Sequence, residues 1–322
     1  MWTTGIENGI KVRDVVIETG KGGEDIEIVQ LTDLHIVWMN EKDNADSTLA
    51  QTYEQRKWAH VYDESRTDHL DLTRRCLEQF KGADKIVITG DIYDFLTGET
   101  AVQASEQIFS AYDNVIACLG NHEIARKMGD EHDYSKEEWQ TVAVERIASF
   151  DKCWNTRVAY DGDQSIYYSS EVLGDKVMLI QMDNATTCAF WDCQIQPFKA
   201  DLALAREKGY AVLLFYHIPI ATGNPKYIYT ETLDRGDVAH KNFYNSYSDT
   251  VSSHSTGASK EMYELIVGNG DIIKGAFCGH LHSDFYMEID ATTADGAHTV
   301  IPQYVLKGTI YDKGNALRIT VK

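Results

Sequence analysis

The sequence predicts an α/β fold in which two stacked sheets carry helices on their outer faces, within a single domain of residues 1–322. Two observations support this prediction. Strand-like and helix-like segments alternate early in the chain, whereas strand-like segments dominate its end. In addition, five apolar runs with the length of buried strands stop abruptly at polar residues. These runs lie at 28–31, 86–88, 115–119, 212–215 and 272–278.

The first part of the chain predicts alternating strands and helices. In order, we expect strands at 10–18 and 25–32, a helix at 66–80, a strand at 85–90, a helix at 100–112 and a strand at 114–119. A glycine-rich turn at 20–23 separates the first two strands. The spacing of Leu70, Leu77 and Phe80 indicates one apolar face on the first helix.

The second part predicts fewer helices and more strands. In order, we expect a helix at 136–149, a hairpin of strands at 165–171 and 176–182, a helix from Pro197 to about Lys208, a strand that ends before His217, a helix at 258–267, a strand at 272–278, and short strands at 284–290, 299–306, 309–312 and 316–321. The run of strands at the end is what favours a second sheet stacked on the first.

Two long polar segments, at about 38–66 and 221–258, show no clean periodicity. Long segments of this kind in a compact domain usually have a function or are disordered. We expect the first to be a loop excursion over the mouth of the site. The second is rich in tyrosine and is the main candidate for substrate recognition. His240 and His254 could line the site from this second segment, although packing within the loop is the alternative for its tyrosines.

The composition disfavours several classes of partner. A formal net charge of −20 and a pI near 4.9 argue against a surface for nucleic acid or an anionic membrane. No run reaches the ~18 apolar residues of a membrane span, and no signal peptide is visible at the N-terminus. We therefore expect a cytoplasmic protein, and the sequence leaves its oligomeric state open. An anionic substrate would need positive charge from metal ions.

The five apolar runs are followed by side chains that commonly bind metals. Asp33 and His35 are two residues apart at a strand end, so their side chains point the same way and can hold one ion. Asp91 follows a neighbouring run and is well placed to bridge two ions. The predicted metal ligands are Asp33, His35, Asp91, Asn121, His217, His280 and His282. This mixed set is too large for one tetrahedral zinc ion and suits two ions of five- or sixfold coordination.

These residues also form motifs in a fixed order. They read Asp-x-His, Gly-Asp-x-x-Asp, Gly-Asn-His-Glu, His and Gly-His-x-His, and they extend over residues 33–282. The ordered set resembles the calcineurin-like metallophosphoesterase family, and the opening of the chain looks like its broad bacterial group. The resemblance implies a four-layer α/β/β/α sandwich of two mixed sheets flanked by helices, and a hydrolase with two divalent metal ions, most readily Mn, Fe or Zn. It would place Asp33, His35, Asp91 and His282 on one ion, and Asp91, Asn121, His217 and His280 on the other.

The resemblance implies roles for two residues that would bind no metal. His122 matches the histidine that contacts the phosphate and helps the leaving group depart, as a general acid or hydrogen-bond donor. Asp94 matches the carboxylate that orients this histidine, with capping of a helix as its alternative role. Glu123 is expected to brace the turn rather than to take part in catalysis.

The reaction implied by the resemblance is attack of a metal-bound hydroxide on the phosphorus of a small phosphorylated substrate. The motifs leave open whether the enzyme is a phosphatase of monoesters or a phosphodiesterase. Phe95 stands where protein Ser/Thr phosphatases have an arginine, and Asp94 stands where purple acid phosphatases have a tyrosine, so neither subfamily is favoured. A catalytically silent scaffold for protein binding is the alternative of a different class, although such a chain is expected to lack some of these residues.

Overall fold

The computed structural model of the 322-residue chain describes residues 2–57, 68–95, 103, 106–124, 168–185, 190–220 and 257–322. Within these residues, twelve strands form two six-stranded sheets. The first sheet contains β1 (Thr3–Glu7), β2 (Ile10–Ile17), β3 (Ile26–Leu31), β4 (Lys85–Thr89), β5 (Val115–Cys118) and β12 (Asn315–Val321). Its spatial order is β1-β2-β12-β3-β4-β5, and β3, β4 and β5 run parallel.

The second sheet lies against the first and is also mixed. It contains β6 (Tyr168–Leu173), β7 (Val177–Met182), β8 (Ala211–Phe215), β9 (Ile273–Cys278), β10 (Phe285–Thr292) and β11 (His298–Val305). Its spatial order is β10-β11-β9-β8-β7-β6. The predicted hairpin is confirmed as the antiparallel pair β6–β7, and β7, β8 and β9 run parallel.

The described helices are α1 (Glu41–Asn44), α2 (Ser47–Arg56), α3 (His69–Phe80), α4 (Ile195–Lys208) and α5 (Gly257–Val267). Aspartate side chains cap the first turns of two of them. The Asp46 carboxylate accepts hydrogen bonds from the first backbone N–H groups of α2, and Asp68 does the same for α3. Helix α4 ends at Gly209, which has φ of 70° in the left-handed region.

The predicted four-layer α/β/β/α arrangement is confirmed by how the apolar side chains divide. Within β4, Ile86 and Ile88 pack with α3 on the outer face, whereas Val87 packs between the sheets, as the two-residue period of a strand requires. Phe215 and Phe277 stack between the sheets from the other side. Helices α4 and α5 cover the outer face of the second sheet. The central strand β8, AVLLF, is buried on both faces and is accordingly continuously apolar.

Several elements differ from the predictions. The polar segment predicted as an irregular loop contains α1 and α2, and the exposed edge strand β1 was not predicted. The strand predicted at 309–312 was wrong, because these residues form turns and the segment ends with φ of 55° at Asp312 and 70° at Lys313. The helix predicted at 136–149 and the loop at 221–256 lie outside the described residues, as do residues 100–102, 104 and 105 of the helix predicted at 100–112. Of the rest of that helix, residues 103 and 106–108 are helical and 109–112 are not. Among the described helices, none has the length and apolar character needed to span a membrane.

The fold brings the ends of five strands to one place. The carboxyl ends of β3, β4 and β5 lie at one edge of the first sheet, and those of β8 and β9 lie at one edge of the second. Backbone hydrogen bonds join the segments that follow these strands. Asp33 N donates to Gly90 O at 3.0 Å, and Gly279 N donates to His217 O at 3.0 Å. Between the two sheets, His280 N donates to Oδ1 of Asp33 at 3.2 Å, so the two edges form one platform for the polar side chains.

Candidate metal centre

The structure brings all seven predicted metal ligands together on this platform. One group has donor atoms within 4.8 Å of one another and consists of Asp33, His35, Asp91 and His282. A second group with the same property consists of Asp91, His217 and His280. Asn121 joins the second group, because its Oδ1 lies 3.2 Å from Nε2 of His217 and 3.1 Å from Nδ1 of His280. Asp91 belongs to both groups.

In the first group, each imidazole ring has one nitrogen held by a neighbour outside the group. Nδ1 of His35 lies 3.0 Å from the Asp94 carboxylate, and Nδ1 of His282 lies 2.7 Å from the Tyr311 hydroxyl. The remaining Nε2 atoms face inwards. That of His35 lies 3.7 Å from Oδ2 of Asp91 and 3.0 Å from Nε2 of His282. Contacts of this kind from outside the group orient the rings of metal-binding histidines.

His217 in the second group follows the same rule. Nδ1 of His217 donates to the Thr89 carbonyl at 2.7 Å, so its Nε2 faces Oδ2 of Asp91 at 3.2 Å. Burial and the adjacent His217 lower the pKa of His280 to about 3, which leaves this ring neutral. Carboxylate oxygens, one amide oxygen and imidazole nitrogens therefore converge on two adjacent points. This donor set fits two divalent cations of the Mn, Fe or Zn type.

The pKa shifts of His217 and Asp33 indicate that the site favours positive charge. Burial alone would lower the pKa of His217, but the carboxylates of Asp91 and Asp33 raise it to about 10. Burial would likewise raise the pKa of Asp33, but His282 lowers it to about 2. The buried carboxylates thus favour a cation among them, and without metal the cation available is a proton on a histidine.

The predicted ligands lie on sharp turns that begin where the strands end. Five of them have backbone φ angles in the left-handed region, which is uncommon for residues other than glycine. These residues are Asp33 (φ 49°), His35 (40°), Asp91 (52°), His280 (69°) and His282 (53°). Conformations of this kind cost of order 1 kcal/mol or more each and concentrate at functional sites. These conformations lower the stability of the fold, and they direct the side chains towards one another.

The glycines of two motifs allow close approach. Gly90 has φ of 88°, and a Cβ there would lie 2.6 Å from Nδ1 of His217. A Cβ at Gly120 would collide with the backbone and carboxylate of Asp91. Each position needs a residue without a side chain, because the side chain of His217 or Asp91 occupies the space.

Glu123 braces the Asp91 turn, as expected from the sequence. Its buried carboxylate accepts hydrogen bonds from the backbone N–H groups of Asp91 (3.0 Å), Ile92 (2.7 Å), Tyr93 (3.1 Å) and Gly120 (2.5 Å). Burial and the nearby Asp91 carboxylate raise the pKa of Glu123 to about 7, although these hydrogen bonds pull in the opposite direction. The contacts of Glu123 are with the main chain of the ligand-bearing turns, so its part is structural.

The contact between His122 and Asp94 differs from the expected one. Nδ1 of His122 lies 2.7 Å from the main-chain oxygen of Asp94 but 3.8 Å from its carboxylate. That carboxylate instead contacts His35 at 3.0 Å and Arg56, whose Nε lies at 2.5 Å and Nη2 at 2.7 Å. Burial would lower the pKa of His122, but Asp91 and Asp94 raise it. Asp94 thus orients His122 through its carbonyl group and His35 through its side chain.

Arg56 and Tyr311 are two described residues that contact the site and that sequence reasoning missed. Arg56 lies in the polar segment that we expected over the mouth of the site, but no motif distinguished it. Tyr311 lies in the segment wrongly predicted to be a strand. His240 and His254 lie outside the described residues, so their contribution stays a prediction.

A model of the calcineurin-like phosphoesterase family matches residues 26–284. The chain is similar to a dimetal phosphatase from Danio rerio, with 13% identity, a TM-score of 0.47 and 88% of each chain covered. It is similar to PhoD with 9% identity and a TM-score of 0.50, over 94% of this chain and 60% of PhoD. It is also similar to calcineurin-like phosphoesterase YfkN from Bacillus subtilis, with 13% identity and a TM-score of 0.39, over 88% of this chain and 81% of YfkN. Such identities show likeness of fold alone. No curated protein matches the sequence.

Proposed function

Because this chain belongs to the calcineurin-like phosphoesterase family, we propose that it hydrolyses a small phosphate ester with the help of two divalent metal ions. The observation that carries the proposal is the pair of donor groups that share Asp91. In this proposal, Asp33, His35, Asp91 and His282 hold one ion, and Asp91, Asn121, His217 and His280 hold the other.

Two divalent ions side by side activate water for attack on phosphorus and neutralise charge on the phosphoryl oxygens. The chain itself, with a net charge of −20, provides no general attraction for an anionic ester. Its own residues therefore hold the ions in place, align the ester and manage the proton of the leaving group. A mixed carboxylate, amide and imidazole set accepts Mn, Fe or Zn, and cellular supply selects among them.

His122 is the residue proposed to assist the leaving oxygen. Its Nδ1 donates to the Asp94 carbonyl, so Nε2 is the nitrogen that can donate to an ester oxygen. Its side chain is 17% exposed, whereas that of His35 is fully buried, so a substrate can reach His122 from the mouth of the site. The raised pKa of His122 favours the protonated form that a general acid requires.

The test combines metal content with hydrolysis of p-nitrophenyl phosphate and bis-p-nitrophenyl phosphate, with Mn, Zn and Fe added in turn. We expect close to two ions per chain and turnover of at least one ester. The variants Asp91→Ala and His217→Ala should lose turnover. Asp91→Ala removes a ligand of both ions, and His217→Ala removes a ligand of the second ion. His298→Ala is the matched control, since His298 forms an exposed pair with Asp290 at 3.5 Å.

The outcomes separate the remaining alternatives. Preference for the monoester indicates a phosphatase, and preference for the diester indicates a phosphodiesterase. Full activity in Asp91→Ala would contradict the proposal. One ion or none, with no turnover of either ester, would favour a silent scaffold that binds proteins.

A further inference from the structure

Arg56 contacts the candidate metal centre from outside the five ligand-bearing segments. It is the last residue of α2, and its guanidinium spans both carboxylate oxygens of Asp94, with Nε at 2.5 Å and Nη2 at 2.7 Å. The Asp94 side chain is fully buried, and that of Arg56 is 19% exposed. A bidentate pair of this kind, removed from water, fixes the carboxylate in one orientation.

The orientation of Asp94 matters to two residues of the site. Its carboxylate paired with Arg56 can only accept hydrogen bonds, so Nδ1 of His35 carries the proton and donates to it. The Nε2 lone pair of His35 is thereby directed into the first donor group. The main-chain oxygen of Asp94 meanwhile accepts from Nδ1 of His122. One residue therefore connects Arg56 to a predicted ligand and to the predicted general acid.

Helix α2 is attached to the same two segments by a second, apolar contact. Tyr53 packs against Val37 and Phe95 in a small separate cluster. Val37 follows His35 by two residues, and Phe95 follows Asp94 directly. The helix thus holds both sides of the His35–Asp94 contact, by packing through Tyr53 and by charge through Arg56.

We propose that Arg56 is a positioning residue for the metal centre: by clamping Asp94, it aligns His35 for its ion and holds the Asp94 carbonyl that orients His122. This inference rests on the proposed function. The planar fork of arginine is required in this role, because a lysine at the same position presents a point charge and cannot hold both oxygens in one plane.

The test uses Arg56→Met, Arg56→Lys and Asp94→Asn in the full chain, stripped of metal and titrated calorimetrically with Mn²⁺. Loss of a partner that orients a metal-binding histidine typically weakens metal binding by roughly 10- to 100-fold. We expect a loss of this size for one of the two ions in Arg56→Met and a smaller loss in Arg56→Lys. The visible spectrum of the Co²⁺ form should also change, because it reports the geometry of the histidine ligands.

The control removes another bidentate arginine–aspartate pair, which is more exposed and lies elsewhere. Arg206 holds Asp271 with Nη1 at 2.5 Å and Nη2 at 3.0 Å. Arg206 precedes β8 and Asp271 precedes β9, so this pair lies at the amino ends of these strands, whereas the site lies at their carboxyl ends. Arg206→Met should leave both Mn²⁺ affinities and the Co²⁺ spectrum unchanged. Circular dichroism and urea unfolding identify any variant that fails to fold, in which case Arg56→Lys carries the comparison.

The double variant of Arg56→Met with Asp94→Asn shows whether the arginine acts through Asp94. If it does, Arg56→Met adds little to the loss that Asp94→Asn already causes. Independent, additive losses would overturn the inference, as would unchanged Mn²⁺ affinity in Arg56→Met while the wild type binds two ions. In both cases the proposed function would stand. A wild-type chain that binds no metal would overturn both.

Discussion

The Nε2 atoms of His35 and His282 lie 3.0 Å apart. Asp94 holds the proton of His35 on Nδ1, so the Nε2 of this ring presents a lone pair to its neighbour. The Asp33 carboxylate faces the same point, with Oδ1 3.0 Å from Nε2 of His282. Electron-rich atoms at such distances repel one another unless a cation lies among them. A metal ion satisfies all of them at once, and a shared proton satisfies only a pair.

Metal binding should therefore stabilise the fold. Chelator-treated protein should unfold at a lower temperature, and metal at a hundred times its Kd should add about 2.7 kcal/mol to the free energy of unfolding. His282→Ala removes the Nε2 atom that faces the first donor group, so Mn²⁺ should raise its free energy of unfolding less than that of the wild type. In His298→Ala the increase should equal that of the wild type. Differential scanning calorimetry measures both. An equal gain in His282→Ala and the wild type would contradict a metal bound by this ring.

His122 should be needed for chemistry but not for metal binding. Its Nδ1 is anchored to the Asp94 carbonyl, and its ring stands edge-on to His35 with centroids 4.6 Å apart. We expect His122→Asn to lower kcat by roughly 10²- to 10⁴-fold and to leave the metal content unchanged. The loss should be smaller for p-nitrophenyl phosphate than for an alkyl phosphate, because p-nitrophenolate departs without protonation. An equal loss for both esters would show that His122 does not assist the leaving oxygen.

Tyr311 should affect metal affinity through His282. Its hydroxyl lies 2.7 Å from Nδ1 of His282, and its ring lies against the same histidine with centroids 5.4 Å apart. Tyr311→Phe keeps the ring and removes only the hydroxyl, so the fold should be retained. We expect roughly 10-fold weaker binding of one ion, the lower end of the usual range for such partners.

The control for Tyr311 is Tyr210→Phe, which removes an exposed hydroxyl that donates to Asp175 at 2.6 Å. Calorimetric titration with Mn²⁺ should separate the two variants. If both bind the two ions as tightly as the wild type, the Tyr311 hydroxyl has no part in orienting His282.

The convergence of the predicted ligands could be anticipated from the sequence because each follows an apolar run. Ile86, Val87 and Ile88 form a buried parallel strand, and side chains after such strands meet at one sheet edge. The left-handed φ of Asp91, 52°, and the proximity of Gly90 to His217 carry no comparable signal in one sequence, because both depend on chain segments far apart.

The errors have equally specific causes. Helix α2 buries only Leu49 and Thr52, so the sequence shows no apolar period, and its contact with Asp94 depends on docking. Every residue of β1 except the last is exposed, which removes the alternation that marks a half-buried strand. Tyr311 follows Thr309 and Ile310 in a strand-like pattern, but Tyr311 N bonds back to Gly308 O at 3.1 Å and closes a turn.

Asp201 should make stability depend on pH independently of the metal centre. Burial raises its pKa, although hydrogen bonds from Tyr168 and Ser170 oppose the shift. Because the folded state then binds this proton more readily than the unfolded state, the stabilisation from Asp201 is complete below the ordinary pKa of 3.8 and is lost as pH rises through the raised value. Asp201→Asn cannot titrate and still offers Tyr168 an acceptor. In urea unfolding of chelator-treated protein, the free energy of unfolding of Asp201→Asn should therefore rise relative to that of the wild type as pH rises through this window. Above the window the difference between the two should stay constant. A difference that is the same at every pH would contradict the raised pKa.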